Sequence, residues 1–181
     1  DVFTLPGHGL EIAGNIGTEE PDLEAVKASR KDQSPCFLGP NVIDLCRLAD
    51  ITFLGLHGGE GENGKLQATF DLLGIRYTGP DSLGCAVAMD KGFTKQVFQQ
   101  SGIDTPAGVC LHKNSPDHSL ASTGLSLPVV IKPCSGGSSI GVYIVKTEEE
   151  YETALSNSFR YEDEVVIETY IKGREFACGI I

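Results

Sequence analysis

Between Val129 and Val145 the chain carries two β-branched runs separated by a loop built almost wholly from glycine and serine. The segment reads Val129-Val130-Ile131-Lys132-Pro133-Cys134-Ser135-Gly136-Gly137-Ser138-Ser139-Ile140-Gly141-Val142, so the first strand ends on a lysine just before the loop. Strand, small-residue loop and strand in direct succession fit few arrangements. One is a cradle for a phosphate, because such a loop offers several backbone N–H groups with little side-chain bulk in front of them. The lysine precedes the loop, whereas in a P-loop it follows the glycines and opens a helix, so this is a loop of another kind. The other arrangement is a tight hairpin with an outward lysine, and this segment alone supports both equally.

The 181 residues suffice for one good core or two small ones. A net charge of −11 repels nucleic acid and anionic membranes, so neither is expected as a partner. A small anion would need a local basic pocket, which makes each of the few lysines informative. The six cysteines, at 36, 46, 85, 110, 134 and 178, show no CxxC pair and no histidine spacing. They are expected to be reduced core residues of a cytoplasmic protein, with no metal site among them. No apolar run is long enough to span a membrane, and no basic-then-apolar signal opens the chain. Asp1 at the start and the apolar Gly179-Ile180-Ile181 at the end suggest a piece cut from a longer protein.

Residues 1 to 40 are weakly patterned, with a short helical turn expected over Leu23 to Ala28. Val42 to Leu48 has helical spacing, and Ile51 to Leu56 reads as a parallel strand covered on both faces. After the loop His57-Gly58-Gly59-Glu60-Gly61-Glu62-Asn63-Gly64, a helix over Lys65 to Leu73 is expected to bury Leu66, Phe70 and Leu73, with Ala68 and Leu72, and to end at Gly74. Ile75 to Thr78 reads as a short strand and Gly79-Pro80-Asp81 as a turn at a domain junction. The spacing then predicts one helix over Leu83 to Gln100 with Cys85, Val87, Met89, Phe93, Val97 and Phe98 inward, closed by Gly102. A strand over Val109 to Leu111, a polar segment over 112–127 and the strand–loop–strand follow. Thr147 suits the N-cap of a helix whose first turn is acidic. Glu164 to Ile171 is a further strand, Lys172-Gly173-Arg174 a turn, and Glu175 to Ile181 the start of another strand. Strand–loop–helix–strand before residue 80 is half of a doubly wound sheet, and the rest is mixed α+β.

Five ordered blocks carry a resemblance. They are His57 to Gln67, Tyr77-Thr78-Gly79, Ala88-Met89-Asp90-Lys91 with Lys95, Val130 to Pro133 with Gly137 to Val142, and Val166 to Phe176. In this order they resemble the ATP-grasp enzymes, and among those the D-Ala-D-Ala ligase family. The resemblance runs from about residue 50 to the end. It implies part of a Rossmann-like, parallel-sheet substrate-side domain over residues 1–80. It also implies a central ATP-grasp domain over 81–171 and the beginning of a C-terminal ATP-grasp domain over 172–181.

The resemblance also assigns roles. Lys91 and Lys132 would contact ATP phosphates as point charges, while Gly137, Ser138 and Ser139 close the loop over the β- and γ-phosphates. Ser138 would also help to hold the reacting amino acid. Glu168 would accept the adenine amino group, the backbone of Tyr170 and Ile171 would read the ring edge, and Glu175 would accept from the ribose hydroxyls. His57 and Glu62 fall near the D-amino acid pocket, His57 as a positioning or electrostatic group near an acyl phosphate. Glu60 and Asn63 read as loop and cap residues.

The implied reaction is ATP-dependent joining of two D-alanines through a D-alanyl phosphate, for peptidoglycan precursors, in a cytoplasmic homodimer. Mg²⁺, or Mn²⁺, would accompany ATP, with its ligands expected beyond Ile181 and none in this chain. The fragment alone is therefore expected to be inactive. The alternatives are D-lactate or D-serine as acceptor, another carboxylate–amine ligase, or a nucleotide-binding module without catalysis.

Overall fold

The computed structural model describes residues 22–29, 33–39 and 41–179, which form two compact units. The first comprises the described residues as far as Leu54 together with Phe70–Thr78, and the second comprises Gly55–Thr69 and the described residues from Gly79 onward.

In the first unit lie the helices α1 (Leu23–Ser29) and α2 (Val42–Leu48), both where the apolar spacing places them. Thr52 pairs in parallel with Tyr77, through Thr52 N–H to the Arg76 carbonyl (2.8 Å) and Thr78 N–H to the Thr52 carbonyl (3.0 Å). The parallel sense agrees with the sequence, but the covered strand over Ile51 to Leu56 does not form. Pairing stops at this one bridge, and Ile51 and Phe53 are 55% and 81% exposed. A strand buried on both faces needs neighbours on both sides, and the described residues supply only the Tyr77 segment.

Helix α3 (Lys65–Leu73) has the expected bounds and ends at Gly74, φ 66°. Its inward set differs from the expectation. Leu66 and Phe70 are buried, Leu72 and Leu73 are exposed, and Gln67 is buried instead, its amide donating to the Gly61 carbonyl at 3.0 Å. The chain folds back at Gly74, so Ile75 N–H bonds the Phe70 carbonyl (2.9 Å), and Ile75 rather than Leu73 is the next buried apolar residue.

The second unit is built on a four-stranded antiparallel sheet of order β1-β4-β2-β3. Its strands are β1 (Gly108–His112), β2 (Val129–Pro133), β3 (Tyr143–Val145) and β4 (Glu164–Thr169). The registers Cys110↔Val166, Lys132↔Val166 and Val129↔Val145 fix which residues share a face. One face presents Leu111, Val129, Ile131, Val145, Val165 and Ile167, all buried. They pack on Tyr151, Ala154 and Leu155 of α6 (Glu148–Ser158). Thr147 caps α6 in a complete capping box with Glu150. The opposite face carries Glu168, Lys132, Cys110 and Glu164, because side chains alternate along a strand.

The single helix expected over Leu83 to Gln100 is two, α4 (Ser82–Met89) and α5 (Lys91–Gln100), broken at Asp90. Asp90 is extended, and its carboxylate accepts from Phe93 N–H at 2.8 Å, so it serves as an N-cap in mid-pattern. The inward residues of α5 are Gly92 and Lys95, whereas Phe93, Val97 and Phe98 are exposed. Before α4, Gly64 takes φ 88°, and a Cβ there would lie 2.2 Å from the Ser82 carbonyl oxygen, so only glycine fits this approach.

Strand β4 stops at Thr169 rather than Ile171. Its neighbours run into Pro106 on one side and Pro128 on the other, neither of which has an N–H to donate. Residues 174–179 form no strand, and the last two residues of the strand expected from Glu175 lie outside those described. All six cysteines are free, but only Cys85 and Cys134 are buried, whereas Cys36, Cys110 and Cys178 are exposed, against the expectation of core residues.

Candidate functional site

The polar face of the sheet gathers the lysines. Glu168, 8% exposed on the central strand β4, receives Lys132 from β2 on one carboxylate oxygen and Lys95 from α5 on the other, the latter at 2.9 Å. Lys95 also donates to Thr105 Oγ1 (3.0 Å) and to the Pro106 carbonyl. Burial pushes the Glu168 carboxyl up, but the hydrogen bonds and charges of Lys132 and Lys95 outweigh it and hold it below the usual carboxylate range. These three residues line a cavity of about 220 Å³ together with Lys91.

Lys91, the first residue of α5, is tied to the loop. Its backbone N–H bonds the Cys134 carbonyl at 2.9 Å, and its ammonium reaches the same carbonyl at 3.3 Å and that of Gly136. Burial, and then the charge of Lys132, press its pKa down. The loop from Cys134 to Val142 joins β2 to β3, so the hairpin is real, but Lys132 is not outward: it is engaged on the polar face. Glu162 anchors the loop by accepting from both the backbone N–H (2.7 Å) and the hydroxyl of Ser135. At its far end the Gly141 carbonyl accepts from the buried Ser158 hydroxyl (2.9 Å). Ser138 and Ser139 adopt positive φ, 53° and 61°. Among the described residues, the amides of Gly136, Gly137, Ser138 and Ser139 donate to nothing. Four consecutive open donors beside two ammonium groups can bind an anionic oxygen cluster.

The structure thus brings Lys91, Lys132, Glu168 and the base of the Gly137–Ser139 loop together. Tyr170 follows β4, its N–H on the Pro128 carbonyl (3.1 Å), while Ile171 and Glu175 lie exposed beyond it. His57 and Glu62 do not line the lysine cavity. They belong to the 57–64 loop, where Glu62 accepts from Gly58 N–H and Asn63 Oδ1 from Lys65 N–H at 3.2 Å.

Sequence reasoning gave Lys95, Asp90 and Glu162 no role here. Lys95 lies one helical turn from Lys91 and so shares its face, which the Phe93–Val97–Phe98 pattern obscured. Asp90 stands directly before a helical run, as an N-cap does. Nothing in the sequence marks Glu162, which meets Ser135 only through the sheet. A larger cavity, about 650 Å³, lies beside α6 with His118, Glu148, Tyr151 and Phe159 among its residues. It contains no lysine and none of the residues singled out from the sequence.

A helix-backed antiparallel sheet whose hairpin carries a glycine–serine loop beside paired lysines is the ATP-grasp class of fold. Two family models match, "D-ala D-ala ligase N-terminus" over residues 10–80 and "D-ala D-ala ligase C-terminus" over 97–181. The chain belongs to the D-Ala-D-Ala ligase family.

It is 40% identical over 172 residues to the D-alanine--D-alanine ligase of Lacticaseibacillus casei (strain BL23), covering 95% of this chain and 46% of that protein. The identity is also 40% to the ligase of Bacillus anthracis, covering 95% of this chain and 54% of that protein. The chain therefore spans about half the length of the curated relatives it matches. The solved Bacillus anthracis ligase complexed with ATP superposes with a TM-score of 0.67 at 38% identity, over 74% of this chain and 44% of that one. The VanG D-Ala:D-Ser ligase of Enterococcus faecalis gives 0.65 at 34%, over 69% and 37%.

Proposed function

We propose that this chain is part of an ATP-dependent D-Ala-D-Ala ligase acting in peptidoglycan precursor synthesis and carries its nucleotide-binding lysines and loop. The observation that carries the reading is the Lys95–Glu168–Lys132 cluster beside Lys91, at the root of a loop with four open amides. Lys91, its charge disfavoured by burial and by Lys132, gains most from an arriving anion. Lys132 would divide its donors between Glu168 and phosphate, and Gly137, Ser138 and Ser139 would close over the β- and γ-phosphates. Glu168 has acceptor capacity left for the adenine amino group even with both lysines bound, since a carboxylate offers about four lone-pair sites. Tyr170 and Ile171 would read the adenine edge and Glu175 the ribose hydroxyls. His57, Glu62 and Ser138 would serve the D-amino acid side, where the donor carboxylate takes the γ-phosphoryl group and the second amine displaces phosphate. These groups position reactants and neutralise charge.

Residues 1–80 would form part of the substrate-side domain, 81–171 the central ATP-grasp domain and 172–181 the beginning of the C-terminal one. Mg²⁺ or Mn²⁺ belongs to the same proposal, but the lysine cavity offers one carboxylate, already held by two lysines, so these residues do not fit a hard cation and no step is assigned to one. A cytoplasmic homodimer without nucleic-acid or membrane partners completes the reading. No helix among the described residues is long and apolar enough to cross a membrane. D-Serine as acceptor is a second reading, favoured by the likeness to the D-Ala:D-Ser ligase.

The test is phosphate release from ATP and Mg²⁺ by the protein that contains this chain, with D-alanine alone or with D-serine or D-lactate added. Release that depends on D-alanine is expected. Release indifferent to every one of these acids would refute the ligase reading.

A further inference from the structure

The polar face holds a second cluster, next to the lysines, whose side chains the nucleotide reading does not use. Cys110 on β1, Glu164 on β4 and Cys134 just past β2 bring their two sulfurs and a carboxylate oxygen within 4.8 Å of one another. The topology explains how. Strand β4 lies between β1 and β2, and the registers Cys110↔Val166 and Pro133↔Val165 place both cysteines on the face that Glu164 shares. Cys134 N–H bonds the Glu164 carbonyl at 3.2 Å, so these two residues are direct neighbours, and Cys110 reaches in from the other side.

A disulfide does not suit this arrangement. The cysteines are two strand spacings apart, about 9–10 Å between backbones, whereas a disulfide needs its Cα atoms within about 7 Å. Two thiols that lean toward each other across an intervening strand, with a carboxylate on that strand, can instead share an ion. Helix α5 passes close to Cys110: a Cβ at Gly92 would lie 2.4 Å from Cys110 Sγ, so the glycine leaves room for the sulfur. Cys134 is buried, whereas Cys110 and Glu164 are exposed, so an ion has an entry path and an open fourth position for water.

We propose that Cys110, Cys134 and Glu164 form a binding site for a thiophilic divalent cation of the Zn²⁺ class. Two thiolates and one carboxylate match the borderline-soft preference of Zn²⁺ and Cd²⁺ and do not suit Mg²⁺ or Ca²⁺, which take oxygen ligands. On binding, each thiol gives up its proton to solvent and forms a metal–sulfur bond, so two protons leave per ion. The sequence conceals the site because its ligands are 24 and 30 residues apart, joined only by strand order.

The test titrates the reduced, metal-free chain with Cd²⁺ and follows the sulfur-to-cadmium charge-transfer absorption, with Zn²⁺ as competitor. One tight site per chain is expected. Cys110→Ser and Glu164→Gln should each weaken it by about 100-fold or more, while Cys36→Ser and Cys178→Ser leave it unchanged. Both informative substitutions are at exposed positions, so the result does not depend on replacing the buried Cys134, and circular dichroism confirms their fold. Absence of a charge-transfer band, a site unaffected by Cys110→Ser, or a site lost with Cys36 or Cys178 would overturn the proposal.

Discussion

The two faces of one sheet differ sharply in the charge they carry. Toward α6, strands β1, β2, β3 and β4 present Leu111, Ile131, Val145, Val165 and Ile167, buried side chains with no polar groups. Toward α5, strands β1, β2 and β4 present Cys110, Lys132, Glu164 and Glu168 around the buried Val166. The backbone hydrogen bonds are common to both, and only the alternation of side chains separates them. The apolar face is large enough to hold the sheet and α6 together, which leaves the other face free to carry ion pairs that a folding core would not favour.

Four substitutions test this division, in decreasing order of effect on stability. Ile167→Ala, at a fully buried site, should cost about 2–5 kcal/mol, read as a lower urea midpoint, without changing nucleotide contacts in the molecules that remain folded. Glu168→Gln should cost about 1.5–3 kcal/mol, since two lysines lose a charged acceptor. Its pH dependence is diagnostic. The folded carboxyl lies below its ordinary value of 4.5, so its stabilisation is present above that value and is lost as pH falls through the folded pKa. Acid titration followed by circular dichroism should therefore show a wild-type advantage over Glu168→Gln that is full above pH 4.5 and is lost as the pH falls from there through the folded pKa. Thr147→Ala removes the α6 cap and should lower stability by about 1 kcal/mol, again without effect on nucleotide. Lys91→Ala should change the urea midpoint least, by under about 1 kcal/mol, while abolishing the response to nucleotide. If Lys91→Ala destabilised the chain as much as Ile167→Ala, the separation of the two faces would fail.

What could be read from the sequence follows this same division. The strands around Val130 and Ile167, the Thr147 cap and the bounds of α3 were legible because period-2 and period-3.6 patterns and capping chemistry are local. The break at Asp90 was misread because apolar residues run on either side of it, and a single capping carboxylate outweighed that run. The covered strand at Ile51 failed because covering depends on neighbours, which no run of six residues encodes. The family blocks singled out Lys91, Lys132 and Glu168, which the fold does bring together. They gave no role to Lys95 or Glu162, whose partners are reached only through tertiary contact.

On the proposed function the lysine-bearing face, and not the larger cavity beside α6, receives the nucleotide. Titrating the isotopically labelled chain with a non-hydrolysable ATP analogue and following amide chemical shifts tests this directly, even when binding is weak. The expected shifts centre on Gly136 to Ser139 and on the end of β4 near Glu168 to Ile171, and are lost in Lys91→Ala. Shifts centred on Ser119 to Ala121 and the Tyr151 face of α6, or none at saturating analogue, would contradict it.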